Sequence, residues 1–126
     1  MAVKTVDLNN PEELSQVILK IEDYVKTVVS ESRYEHSVRT AQTAEKMCAL
    51  YGLEPKIGYL AGIAHDMCKE FSTDEVLKLV SEDQKPVSLL EQNRPGLLHG
   101  RAAAVLIQTK FGVKDRDVVS AIANHT

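Results

Sequence analysis

The sequence predicts an all-α fold, a bundle of about six helices in a single domain over residues 1–126, with residues 1–10 as an N-terminal extension. Three observations predict it. Apolar residues recur with a period near 3.6 rather than 2, alternating β-branched runs are absent, and cap and stop signals cut the chain into helix-length pieces. A chain of 126 residues is long enough to bury roughly two thirds of its unfolded surface, so one domain suffices.

Asn10, Pro11, Glu12 and Glu13 supply an N-cap, a proline at the first helical position and acids in the first turn; Leu14, Val17, Ile18, Ile21, Val25 and Val28 then form one stripe. A second helix runs from about Arg33 to Tyr51, with Ala41, Ala44, Cys48 and Tyr51 on one face and Gly52 as its stop. The third, about Pro55 to Cys68, is apolar all round. Its run IGYLAGIAHDMC holds the His65-Asp66 doublet, so this helix is buried and the Asp66 carboxylate needs a compensating partner. Gly58 and Gly62 leave a smooth strip on it for close packing of another helix.

Ser72-Thr73-Asp74-Glu75 has the form of a capping box and opens a fourth helix through about Glu82. Pro86 and Pro95 bracket a short turn or helix, KPVSLLEQNRP. A fifth helix from about Leu97 to Phe111 ends at Gly112, and Asp115 caps a sixth that carries Val118, Ala121 and Ile122.

Composition excludes several classes. A net charge of −3 and a pI near 5.8 leave no electrostatic footprint for nucleic acid or an anionic membrane, so any phosphate chemistry is local. No apolar stretch approaches membrane-spanning length and the N-terminus has no signal-peptide core, which predicts a cytoplasmic protein. The two cysteines, Cys48 and Cys68, form no CxxC pair and read as core thiols in a reducing compartment.

The four histidines, His36, His65, His99 and His125, fall in or at the end of four different helices. His99 shares a face with Ala102, Ala103 and Leu106, and His125 repeats that spacing after Val118, Ala121 and Ile122, so both rings point inward. His36 sits at the edge of its helix's apolar stripe. One inward histidine is ordinarily a satisfied core residue, but four would need four separate buried partners, whereas one metal centre satisfies several imidazoles and Asp66 together. Adjacent helical residues diverge by about 100°, so His65 and Asp66 converge on an ion only where the helix ends or opens, and the charged Lys69-Glu70-Phe71-Ser72 after Cys68 is the expected place. Imidazole and carboxylate together suit iron, manganese, nickel, cobalt or zinc and not an oxygen cage for magnesium or calcium.

The stretches RYEHS (33–37), AGIAHDMCKE (61–70), LLHG (97–100) and AIANHT (121–126), taken as a set, resemble the HD-domain metal-dependent phosphohydrolases, and within them the bacterial symmetrical bis(5'-nucleosyl)-tetraphosphatases. The resemblance runs from about residue 13 to the end of the chain. It implies that His36, His65 and Asp66 bind a principal metal, iron in this branch, and that His99 and His125 hold a second ion or contact substrate phosphates. It implies Asp66 and Lys69 as catalytic residues, Asp66 as a bridge if two ions bind, and Arg33, Lys69, His99, His125 and Thr126 as substrate contacts. The implied reaction is attack of metal-activated water on phosphorus, splitting diadenosine tetraphosphate into two ADP. The implied partner is a nucleotide, with a homodimer allowed and neither nucleic acid nor membrane expected.

One departure stands out. In this family a later helix supplies a further metal-binding aspartate, whereas this chain stops at Asn124-His125-Thr126. Asp115 and Asp117 lie eight to ten residues before His125, roughly 12–15 Å along a helix, and are poor substitutes. The expectation is a piece of a longer protein lacking its C-terminal helices, weak or inactive alone. Lys69 also suits a helix C-terminus, Arg33 a solvated first turn, Arg101 reads as surface, and Glu70 pairs with Lys69 or caps the next segment. The alternatives are another HD-type nucleotidase or phosphodiesterase, a nucleotide-sensing module without turnover, and, from a different class, a helical nucleic-acid binder.

Overall fold

The computed structural model describes residues 3–125, and among them there is no strand. Seven α-helices follow in order: α1 Pro11–Val28, α2 Glu31–Leu50, α3 Pro55–Ala64, α4 Thr73–Val80, α5 Leu89–Asn93, α6 His99–Thr109 and α7 Arg116–Ala123. Two 3₁₀ turns, Ser81–Asp83 and Pro95–Leu98, extend α4 and lead into α6. No described helix is long and apolar enough to cross a membrane.

The caps act as the sequence indicates. Asn10 accepts hydrogen bonds from the N–H groups of Glu12 and Glu13, Ser72 and Glu75 form a reciprocal capping box, and Asp115 accepts from Asp117 and Val118. A second capping box, Ser88 with Glu91, starts α5 inside the proline-bracketed segment. Each satisfies backbone donors that a helix start leaves unpaired.

Helix α3 is the core of the fold. Leu60, Ile63 and Ala64 on it, and Met67 and Cys68 just beyond, are fully buried. α3 packs on α2, α1 and α7, while α6 packs on α7 and α4. The α2–α3 approach depends on missing side chains: a Cβ on Gly62 would stand 2.5 Å from the Ala41 Cα, and one on Gly58 would stand 2.7 Å from the Ala44 oxygen. At the other side of α3, the Tyr59 hydroxyl donates to Glu22 Oε2 at 2.6 Å, tying α3 to α1. Burial pushes the Cys68 thiol up to about 12, as expected of an unreactive core thiol. Cys48 is half-buried.

Three expectations need correction. The third helix ends at Ala64, not Cys68. The fourth ends at Val80 and tightens into a 3₁₀ turn. Arg101 is not a surface residue: its side chain is 13% exposed and bridges Asp83 and Glu91. It does point away from His99, but the segment after α4 folds over it.

Candidate metal centre

The apolar run that drives α3 into the core also opens it at the doublet. After Ala64 the backbone continues through i→i+3 turns, with Met67 N–H donating to Ala64 O at 3.1 Å, Lys69 to Asp66 at 2.9 Å and Phe71 to Cys68 at 3.1 Å. Met67 and Cys68 keep their places in the core, while His65 and Asp66 both turn to one side of it. The opening comes before the charged residues that were expected to cause it, because burying Met67 and Cys68 governs the backbone here.

Asp66 is 5% exposed. Its Oδ2 lies 3.3 Å from Arg33 Nη1, 3.3 Å from His65 Nε2 and 3.7 Å from His36 Nε2. Its Oδ1 lies 3.3 Å from His125 Nε2 and 3.4 Å from His99 Nε2. Burial works against the charged carboxylate, but the hydrogen bonds from His125, His65 and His99 outweigh it and hold the carboxyl far below the usual range. For His65, burial works against the imidazolium, and the bonds to Asp66 and to the Gly62 carbonyl overcome it and raise its pKa.

Three rings are fixed in the same way. His65 Nδ1 meets the Gly62 carbonyl at 2.5 Å, His99 Nδ1 the Gly96 carbonyl at 2.6 Å and His125 Nδ1 the Ile122 carbonyl at 2.6 Å. A carbonyl only accepts, so Nδ1 carries a proton in each ring, and Nε2 is the nitrogen that faces Asp66: with a proton it donates to the carboxylate, and without one it offers a lone pair to a metal ion. This is the tautomer a metal-binding histidine needs, with the backbone supplying the orienting bond.

Helix α6 meets the end of α7 at Gly100, where a Cβ would stand 2.9 Å from the Ile122 oxygen and 3.1 Å from His125 Nδ1. That approach brings His99 and His125 together with Nε2 atoms 2.9 Å apart. His125 lies one residue past the C-cap Asn124 rather than on α7 itself. On the α2 side, Glu70 accepts from the Ser30 N–H at 2.7 Å, so it fastens the start of α2, and with it Arg33 and His36, to the turn after Asp66. It does not pair with Lys69.

Two groups could hold an ion: His36, His65 and Asp66, and Asp66, His99 and His125, with ligand atoms in each group within 4.8 Å of one another. Among the described residues Asp66 is the only carboxylate in either group. Asp115 is occupied as the cap of α7. A buried carboxylate using both oxygens, with imidazole Nε2 atoms gathered around it, is a donor set that fits a transition-metal ion of intermediate softness.

These groups open into a cleft of about 540 Å³, which Lys69, Arg94 and Leu97 also line. Lys69 is exposed there. Arg33 instead rests on Asp66. Thr126 lies outside the described residues. The cleft residue that the sequence reading passes over is Arg94. Its signal was present, a cation beside Pro95 and five residues before His99, but only the fold turns it toward the doublet.

The family described as HD domain matches residues 33–126. The symmetrical bis(5'-nucleosyl)-tetraphosphatase of Bacillus subtilis is 34% identical over 102 residues, 81% of this chain and 54% of that protein. The protein of the same name in Staphylococcus aureus is 32% identical over 109 residues, 86% of this chain and 56% of that one. Among solved structures, a Clostridium acetobutylicum HD superfamily hydrolase described as involved in NAD metabolism superposes with a TM-score of 0.79 at 29% identity, over 85% of this chain and 57% of that one. The chain thus spans about half the length of the curated relatives it matches.

Proposed function

The chain belongs to the HD domain family, and on that premise we propose that it is a metal-dependent phosphohydrolase of dinucleoside polyphosphates. The proposed reaction is symmetrical cleavage of diadenosine tetraphosphate into two ADP. The metal is a transition ion, iron foremost, with one or two ions held by His36, His65, Asp66, His99 and His125. The observation that carries the reading is Asp66 shared between two imidazole pairs, one facing each oxygen. The names of the relatives supply the substrate class.

A bound divalent ion supplies Lewis-acid polarisation of a phosphoryl oxygen and acidifies a water at neutral pH. The chain's own residues do the rest. Asp66 gathers the ligand set around one buried negative charge. The Gly62, Gly96 and Ile122 carbonyls hold the Nδ1 protons of His65, His99 and His125, so these rings are oriented before anything binds. Lys69, exposed on the cleft with no ion pair among the described residues, is placed to meet the charge that grows on phosphoryl oxygens.

The test is product analysis with diadenosine tetraphosphate in the presence of Fe²⁺ or Mn²⁺. ADP as the sole nucleotide product supports the reading. AMP with ATP excludes symmetrical cleavage and points to another HD-type nucleotidase or phosphodiesterase, and tight nucleotide binding without turnover points to a sensing module.

A further inference from the structure

We propose that Arg94 is a phosphate-contacting residue of the cleft and that Arg101 is the positioning residue that holds it there. The assignment rests on the phosphohydrolase reading above.

Arg94 lines the same cleft as the histidines and Lys69. Its side chain makes no ion pair or hydrogen bond among the described residues. Among the described residues lining this cleft the one carboxylate, Asp66, is already engaged by Arg33 and the imidazoles. Among the described residues Arg94 and Lys69 are therefore positive charges without an ion-pair partner that face a shared space, in a chain whose net charge is −3. A polyphosphate is the ligand class that answers two such cations, and a guanidinium can bind it through two parallel N–H donors.

The backbone of Arg94 is tied at both ends. Its N–H donates to the Leu90 carbonyl and its carbonyl accepts from the Leu97 N–H, both at 2.9 Å. Two residues on, the Gly96 carbonyl holds His99 Nδ1. The segment that carries Arg94 is in turn clamped by Arg101 from α6. Nε and Nη2 of Arg101 reach the two Asp83 oxygens at 2.9 Å each. Nη1 reaches Glu91 of α5 at 3.2 Å, and Nη2 reaches the Lys85 carbonyl at 3.0 Å. One turn of helix thus presents His99 to the site and, two residues later, Arg101 to the segment that folds over it. The phosphate contact and the imidazole are set in register by the same helix.

The experiment measures Mn²⁺ affinity, and ADP affinity of the Mn²⁺-loaded protein, for wild type, Arg94→Ala, Arg94→Lys, Arg101→Lys and the Arg94→Ala/Arg101→Lys double variant. Arg94→Ala is expected to weaken ADP on the order of tenfold with Mn²⁺ affinity unchanged, the size of a lost charge-assisted hydrogen bond. Arg94→Lys recovers part of the loss. Arg101→Lys weakens ADP in the wild-type background and adds nothing once Arg94 is alanine, whereas a merely stabilising Arg101 would leave ADP affinity unmoved in both backgrounds. ADP bound equally well by wild type and Arg94→Ala overturns this assignment and leaves the phosphohydrolase reading standing. A wild-type protein that takes up Mn²⁺ but binds no ADP overturns both.

Discussion

The Nε2 atoms of His99 and His125 stand 2.9 Å apart, while each ring gives its Nδ1 proton to a backbone carbonyl. Two imidazole lone pairs that close are held together only by positive charge between them, a shared proton or a metal ion. The same two atoms reach Asp66 Oδ1. His99→Ala and His125→Ala are therefore expected to weaken binding of an ion on the Oδ1 side about tenfold or more, each to a similar extent, with little further loss in the double variant. Mn²⁺ titration of the three variants beside wild type checks this; fully additive, independent losses would show that the two rings do not share an ion.

That pairing depends on the absence of a side chain at Gly100. Gly100→Ala puts a Cβ 2.9 Å from the Ile122 oxygen, an overpacking expected to cost about 1–3 kcal/mol and to move His125 off its partner. Gly96→Ala meets nothing within 4 Å and is expected to change stability by less than about 0.5 kcal/mol. Urea unfolding of both variants, with Mn²⁺ affinity alongside, separates the tight approach from a general aversion to alanine.

Much of this was legible in the sequence because it is local. Asn10-Pro11, Ser72 with Glu75, and Asp115 are caps whose partners lie within three residues, and each starts a helix in the structure. His99 and His125 were legible through the apolar residues that share their faces, and their side chains are 9% and 19% exposed, whereas His36, at the edge of its stripe, is 49% exposed. What failed was long-range. Met67 and Cys68 extend the apolar pattern of α3, so periodicity continues the helix where the backbone in fact opens at His65. Arg101 points away from His99 as the helical wheel requires, but no wheel shows that residues 81–91 return to cover it. Arg94 was missed for the same reason.

The covering of Arg101 has a pH signature. Burial opposes the Asp83 charge, but the paired hydrogen bonds from Arg101 outweigh it and hold the carboxyl below its ordinary value. A carboxylate whose folded pKa is depressed adds stability above its unfolded pKa of about 3.9 and loses it as pH falls through the folded value. Glu91 is lowered first by the Ser88 backbone bond and then by Arg101, and acts in the same direction. Arg101→Met is expected to cost about 2 kcal/mol near pH 6, with the gap to wild type closing below about pH 4. Urea midpoints measured across that range check the sign; a gap that widens toward acid would contradict it.

Ser37, next to His36 on α2, is fully buried and its hydroxyl has no hydrogen-bond partner among the described residues. A buried unpaired hydroxyl is a net cost, so Ser37→Ala is expected to stabilise the fold by about 1 kcal/mol. A thermal melt decides it, since a lower Tm would mean that the hydroxyl is satisfied in solution.

The central claim is that Asp66 and the imidazoles around it form a transition-metal centre. Its most direct test is elemental analysis of wild type and Asp66→Asn, both prepared without chelator and both shown to be folded by circular dichroism. Wild type is expected to carry a stoichiometric transition metal, with iron foremost, and Asp66→Asn to lose it. Wild-type protein with no more bound transition metal than Asp66→Asn would contradict it.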